Sequence, residues 1–235
     1  MIELGERLTK VASFVPKDSK VCDVGSDHAY LPVYLIHNNQ ITSAIAGEVV
    51  EGPFLSAKQT VRDYRMEESI EVRFGDGLQI LSKEDEITAV TICGMGGELI
   101  SRILEAGFSG GHLNGKERLI LQPNVAEHFV REWLMNHSYR ITHETVVEDN
   151  HRLYEIIVAE PVEERVEYTE LEIKYGPILL KGPSELSVAK WTRMNRKNKE
   201  ILEQLQKSKT PQHEKIEQFE KAFNELKGVI DRANS

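Results

Sequence analysis

Cysteine is scarce in this 235-residue chain: Cys22 and Cys93 are its two copies. They are too few for a disulfide framework, and both fall in runs that read as buried strands, where Cys serves as a small hydrophobe. No Cys or His spacing resembles a zinc site. No apolar run approaches the roughly 18 residues of a membrane span. The opening MIELGERLTK lacks the hydrophobic stretch of a signal peptide, so a cytoplasmic protein is expected. A G-x-G-x-x-G turn is also missing, which disfavours a dehydrogenase whose cofactor lays a pyrophosphate on a helix N-terminus. Basic charge is in deficit, with a formal net charge of −9, so the chain as a whole offers little non-specific attraction to nucleic acid. The deficit is local. Residues 1–165 carry 16 Lys and Arg against 27 Asp and Glu, a balance of −11, whereas residues 166–235 carry 13 against 11, or +2.

What is present points to a nucleoside site. KVCDVGSDHAYLP (Lys20 to Pro32) is an apolar strand ending at Gly25, where a missing side chain lets the backbone turn sharply and approach a ligand. AIAGE (Ala44 to Glu48) is a second strand ending in an acid, about twenty residues on, the separation at which a carboxylate can accept hydrogen bonds from ribose hydroxyls. Together they describe a cofactor with a ribose and no phosphate.

The periodicity continues in strand and helix alternation. A short helix precedes Pro16. Strands are expected at 21–24, 43–48, 70–74, 87–93 and 118–122, with helices after each of the first two at 31–36 and 52–64, then from Gly97 to about Ala106 and from Val125 to His137. Ile141–Val147 and Leu153–Ala159, joined by a polar turn, form a hairpin. The fold class is therefore α/β, a Rossmann-like, mostly parallel sheet with an antiparallel terminal strand and a ligand crevice at the strands' carboxyl ends. Pro161, Gly176, Pro177, Gly182 and Pro183 break the pattern, and domains are expected at 1–165 and 166–235. The second is read as a coiled-coil-like α-helical hairpin turning at Lys209, Thr210 and Pro211.

With DVGSDHAYLP, AGE, GPF, GDGL, GMGG and LQPN in that order and a basic helical tail, the chain resembles class I S-adenosylmethionine-dependent methyltransferases. More narrowly it resembles the bacterial tRNA (adenine-22 N1)-methyltransferase family, whose members carry a helical hairpin behind the catalytic domain. The likeness covers essentially the whole chain. It implies a tRNA methyltransferase that uses S-adenosylmethionine. For the cofactor it implies Gly25 at the methionine part, Glu48 on the ribose, Asp76 on the adenine amine with Gly75 and Gly77 beside it, and Gly94 and Met95 beneath. Asp23 either orients the loop or reaches the methionine ammonium, and Ser26 is read as a helix cap.

Many adenine amino-methyltransferases place Asn or Asp before Pro-Pro at the end of strand four to grip an exocyclic amine. Here Gly94-Met95-Gly96-Gly97 stands instead, which points to a ring nitrogen as acceptor. Asp27 is expected to face the charge arriving on the base, and His28, Tyr30, Gln122 and Asn124 to position it. Lys190, Arg193, Arg196 and Lys197 on the first tail helix, with Trp191 to stack and Arg7 and Lys10 on the leading helix, are the expected RNA contacts. A methyltransferase for another RNA position or a small amine, and a cofactor-sensing or protein-docking module, are the alternatives these residues leave open.

Overall fold

The computed structural model describes residues 2–207 and 212–234. Its centre is a seven-stranded sheet of β1 (Ser19–Val24), β2 (Ile41–Glu48), β3 (Ile70–Phe74), β4 (Ala89–Met95), β5 (Arg118–Pro123), β6 (Tyr139–Asp149) and β7 (Arg152–Pro161). The order across the sheet is β3-β2-β1-β4-β5-β7-β6. The first five strands are parallel, and β7 runs antiparallel to both β5 and β6. Val21, Cys22, Val90, Ile92, Leu119 and Ile120 are buried, as befits strands covered on both faces. Helices α1 (Glu6–Phe14), α2 (Tyr30–His37), α3 (Glu51–Asp63), α4 (Gly97–Ser109) and α5 (Glu127–Asn136) supply that cover. The chain leaves β1 for β2 on one side and returns to β4 on the other. A crevice is thereby opened at the carboxyl end of β1.

One polar cluster lies inside the sheet's cover. Arg131 on α5 is fully buried and donates to Glu144 at 2.7 Å and to Glu155, so β6, β7 and α5 are tied by one guanidinium. Its Nη1 also donates to the carbonyls of Ile173 and Lys174 at 3.3 and 3.4 Å, on α6 (Glu170–Tyr175). The sequence reading does not anticipate α6. It is a six-residue helix begun by a capping box, in which Thr169 and Glu172 satisfy each other's backbone N–H groups. Because α6 packs on α5, the first compact unit runs from Met1 to Pro177 and not to residue 165; the second is Ile178–Ser235.

The second unit holds α7 (Glu185–Lys207) and α8 (His213–Ala233). Val188 and Thr192, near the start of α7, line one cavity with Ala233 and Asn234 at the end of α8, so the helices pair antiparallel. The expected turn at Lys209, Thr210 and Pro211 lies outside the described residues. Among the described residues no helix is long and apolar enough to cross a membrane.

Candidate active site

At the carboxyl ends of β1, β2 and β4 the first unit holds a cleft of about 470 Å³, within the roughly 300–1,000 Å³ of small-ligand sites. Its lining includes Asp23, Gly25, Ser26, Asp27, Glu48 and Met95. The loop after β1 builds one wall. Gly25 turns through φ +69°, a conformation that asks for glycine, and the flexible end of the Met95 side chain lies over it where a Cβ would stand. The N–H groups of Gly25 and Ser26 donate to the Gly47 carbonyl at 2.9 and 3.1 Å, seating the loop on β2. Asp27 and Ala29 follow in the left-handed region, at φ 54° and 56°, which L-residues seldom adopt and which the surrounding bonds hold.

Glu48 receives the N–H of Asp27, so the carboxylate that ends β2 also fixes the loop. It is buried with part of its acceptor capacity facing the cleft. Asp23 takes hydrogen bonds from Ser26 Oγ and Thr91 Oγ1, each at 2.6 Å. Burial outweighs those two bonds and raises its carboxyl to about 6. Ser26 is thus a partner of Asp23 and not a helix cap, because α2 starts four residues later behind Ala29.

On the rim, His28 and Tyr30 stack with ring centroids 5.0 Å apart at 16°. His28 Nδ1 meets Ser56 Oγ on α3 at 2.6 Å, and its Nε2 lies 3.7 Å from the Asp27 carboxylate. Sequence reasoning missed Ser56, which stands three residues after the cleft-lining Pro53 of the GPF motif.

The opposite wall comes from β4 and β5. Their pairing slips between Cys93 and Met95, and Gly94 leaves the ladder with φ +77°. Side chains of β5 replace the lost partners. Gln122 Oε1 accepts the Gly94 N–H at 3.0 Å, Asn124 Nδ2 donates to the Gly94 carbonyl at 2.7 Å, and Gln122 Nε2 donates to Asn124 Oδ1 at 3.1 Å. Gln122 is fully buried with both ends of its amide engaged. It is therefore a positioning residue behind the cleft and not a contact for a base, a correction to its expected role. Asn124 is exposed but braces the same glycine.

Arg7, an expected RNA contact, is half-buried. It lines the cleft, donates to Gln122, and lies 5.5 Å over the Tyr154 ring. Lys10 sits over Phe14 at 5.2 Å and does not line the cleft. Gly75, Asp76 and Gly77 follow β3 next to Glu48: Phe74 pairs with Glu48, and the Gly75 N–H donates to its carbonyl at 2.8 Å. They extend the strand edge without lining the cleft itself. Burial pushes the Cys93 thiol far above its ordinary range, leaving it protonated. Among the described residues no group of three or more His, Cys, Asp or Glu could hold a metal ion.

In the second unit, Trp191 is 1% exposed and cannot stack on an incoming base, and Lys190 is buried too. Both expectations fail because residues 187, 190, 191 and 195 form the buried stripe of α7. Arg193, Arg196 and Lys197 are exposed, with Arg196 3.7 Å from Glu200.

Fold and site together define a Rossmann-like methyltransferase, with a buried acid at the end of β2 and a glycine turn at the end of β1. Residues 21–228 match the TrmK family, described as tRNA (adenine(22)-N(1))-methyltransferase. The tRNA (adenine(22)-N(1))-methyltransferase of Bacillus subtilis is 41% identical over 236 residues, 98% of each chain. The solved Streptococcus pneumoniae Sp1610, described as a putative tRNA (m1A22) methyltransferase in complex with S-adenosyl-L-methionine, is 40% identical at TM-score 0.87, covering 98% of this chain and 100% of that one. M. capricolum TrmK with S-adenosyl-homocysteine is 26% identical at TM-score 0.84, covering 97% and 98%. This chain belongs to the tRNA (adenine(22)-N(1))-methyltransferase family.

Proposed function

We propose that this protein transfers a methyl group from S-adenosylmethionine to ring nitrogen 1 of the adenine at tRNA position 22. The observation that carries the chemistry is the brace on Gly94. In the amine-gripping arrangement a strand-four carbonyl and side chain hold an exocyclic NH₂; here the Gly94 carbonyl is taken by Asn124, and no acidic or amide side chain stands at positions 94–97. An unprotonated ring nitrogen needs no general base, so the demand on the protein is alignment and charge stabilisation.

The residues of the cleft fit the cofactor. Gly25 allows close approach, Glu48 offers acceptors to the ribose, and Asp76 at the neighbouring strand end is exposed and offers an acceptor to the adenine amine. When bound, S-adenosylmethionine supplies an electrophilic methyl on a sulfonium. Asp27, exposed at the cleft, stabilises the positive charge that appears on the base, and the His28–Tyr30 stack presents a ring face to it. Asp23 and Ser26 hold the loop that carries Asp27. Gln122 and Asn124 hold Gly94, and Met95 covers Gly25.

The first unit is the catalytic domain, and the helical unit grips tRNA through Arg193, Arg196 and Lys197, leaving the target base to be extruded. A tRNA-modifying role fits a cytoplasmic protein. The test is incubation with labelled S-adenosylmethionine and an unmodified tRNA transcript, followed by nucleoside analysis. The expected result is 1-methyladenosine from a transcript with adenine at the target position and none from a transcript with guanine in its place. N6-methyladenosine, or no product with a folded protein, overturns the proposal.

A further inference from the structure

Val125 is the most exposed large hydrophobic among the described residues, at 63%. We propose that Val125, with Leu99 and Phe129, forms an apolar platform that covers the face of the nucleobase next to the target once the target has left the stack; this rests on the function proposed above. The platform stands where two loops are joined beyond the slipped rung of β4 and β5. The Asn124 N–H donates to the Met95 carbonyl at 2.7 Å, and the Gly97 N–H donates to the Val125 carbonyl at 2.8 Å. Gly97 begins α4 so close to the turn before α5 that a Cβ there would lie 2.1 Å from the Ala126 carbonyl oxygen, and no side chain separates the two turns. Val125 lies beside Gly96, its Cγ2 4.0 Å from where a Cβ of that residue would be. Leu99 and Phe129, 42% and 37% exposed, follow in the first turns of α4 and α5. Apolar side chains left in water and gathered beside a cleft mark a contact surface.

Placement and charge name the occupant. Met95, tied to the Val125 loop through Asn124, lines the cleft that the target adenine must enter, so the nucleotides flanking that adenine pass over this edge. Segments 94–100 and 121–130 contain no Lys or Arg, and their acids are Glu98 and Glu127. Such a surface offers phosphates no partner, whereas the flat face of a base lies readily on apolar and aromatic side chains. Extrusion supplies that face. When the target base swings out, its stacked neighbour loses cover on one side, and an apolar side chain entering the gap restores it. Val125 is thereby a wedge that keeps the target from returning to its stack, a task separate from the phosphate grip assigned to the hairpin cations.

The test pairs a protein change with an RNA change, using the full-length protein and tRNA transcripts that are intact or lack the base on one side or the other of the target. On the intact transcript Val125→Asn should lower kcat/KM for tRNA roughly 5- to 30-fold, the effect of losing one base contact, with S-adenosylmethionine affinity unchanged. On one of the two abasic transcripts the variant and the wild type should come within about twofold of each other, because the face that Val125 covers is gone. Val125→Leu should keep most of the wild-type rate. Equal loss on all three transcripts, or no loss on the intact one, overturns the proposal. Tighter tRNA binding by Val125→Lys, with a steeper salt dependence, overturns it in favour of a phosphate contact. A wild-type dimer in sedimentation that Val125→Asn dissociates, with methylation unchanged, overturns it in favour of a second copy of this chain. If the wild type makes no 1-methyladenosine from the intact transcript, the reading of the reaction itself falls and this inference with it.

Discussion

The two compact units use their cations in opposite ways. Residues 1–177 hold 17 Lys and Arg against 30 Asp and Glu, a balance of −13, while residues 178–235 hold 12 against 8, or +4. In the first, Arg131 has no exposed surface and joins three elements, and Arg73 closes the turn beyond β3 on Asp85 at 2.7 Å. In the second, Arg193, Arg196 and Lys197 stand in solvent, and Arg196 makes only a one-turn contact with Glu200. Inward cations fix which elements lie together; outward ones lie at the surface. Net charge therefore says little about the partner of a chain whose units carry charge of opposite sign.

The sharpest way to break this contrast is at the inward end. Arg131→Met leaves Glu144 and Glu155 buried without their cation and should cost about 3–5 kcal/mol in urea unfolding of the first unit, against under about 1 kcal/mol for Arg196→Met.

A pH series separates the units next. Asp23, raised from 3.8 to about 6, binds its proton more tightly folded than unfolded. Its contribution to stability is present in full below about pH 4 and is lost as pH rises through 6, a fall of about 2–3 kcal/mol in that window. Asp23→Asn should remove this component from the pH-dependence of unfolding, whereas substitutions in the hairpin should leave it unchanged.

Glu48→Gln should weaken S-adenosylmethionine binding by about 1–3 kcal/mol in calorimetry, the loss expected for hydrogen bonds to a charged acceptor. Asp27→Asn should leave that affinity nearly intact and lower the single-turnover rate at saturating tRNA, because its role appears only with the developing charge. Equal rates for the two proteins would remove Asp27 from the mechanism.

The smallest free-energy change is expected at the outward end. Arg193, Arg196 and Lys197 changed together to Gln should flatten the slope of log affinity for tRNA against log salt by up to about three, with cofactor affinity untouched. An unchanged slope would mean that the exposed cations are solvated surface, and the contrast between the units would lose its functional meaning.

Much of the fold was readable because buried parallel strands announce themselves as apolar runs: Ile70–Phe74 is reproduced residue for residue, and β1, β2, β4 and β5 lie within two residues of expectation. The strand-end motifs were readable too, since Gly25, Glu48 and Gly94 sit where a parallel sheet collects its loops. Three things were hidden, each because its partners are distant in sequence. Arg131 looks like a solvated helix charge until Glu144 and Glu155 come in from the hairpin. Arg7 looks like a surface cation until Gln122, at a separation of 115 residues, draws it inward. Trp191 looks available for stacking because a helix of mixed charge does not declare which face it buries. The signal that could have found the last was the spacing of Ser187, Trp191 and Asn195, one turn apart each time.

The slipped rung at Gly94 has a consequence for how the sequence can change. With the ladder interrupted between Cys93 and Met95, the shape of the β4 loop is written in the side chains of β5, so neither strand can drift alone. Substitutions at Gln122 and Asn124 should be strongly non-additive: once the first has freed Gly94, the second has little left to release. A new acceptor chemistry in this scaffold would thus have to arise as a paired exchange across two strands, and single-step variation at the GMGG loop should be a dead end.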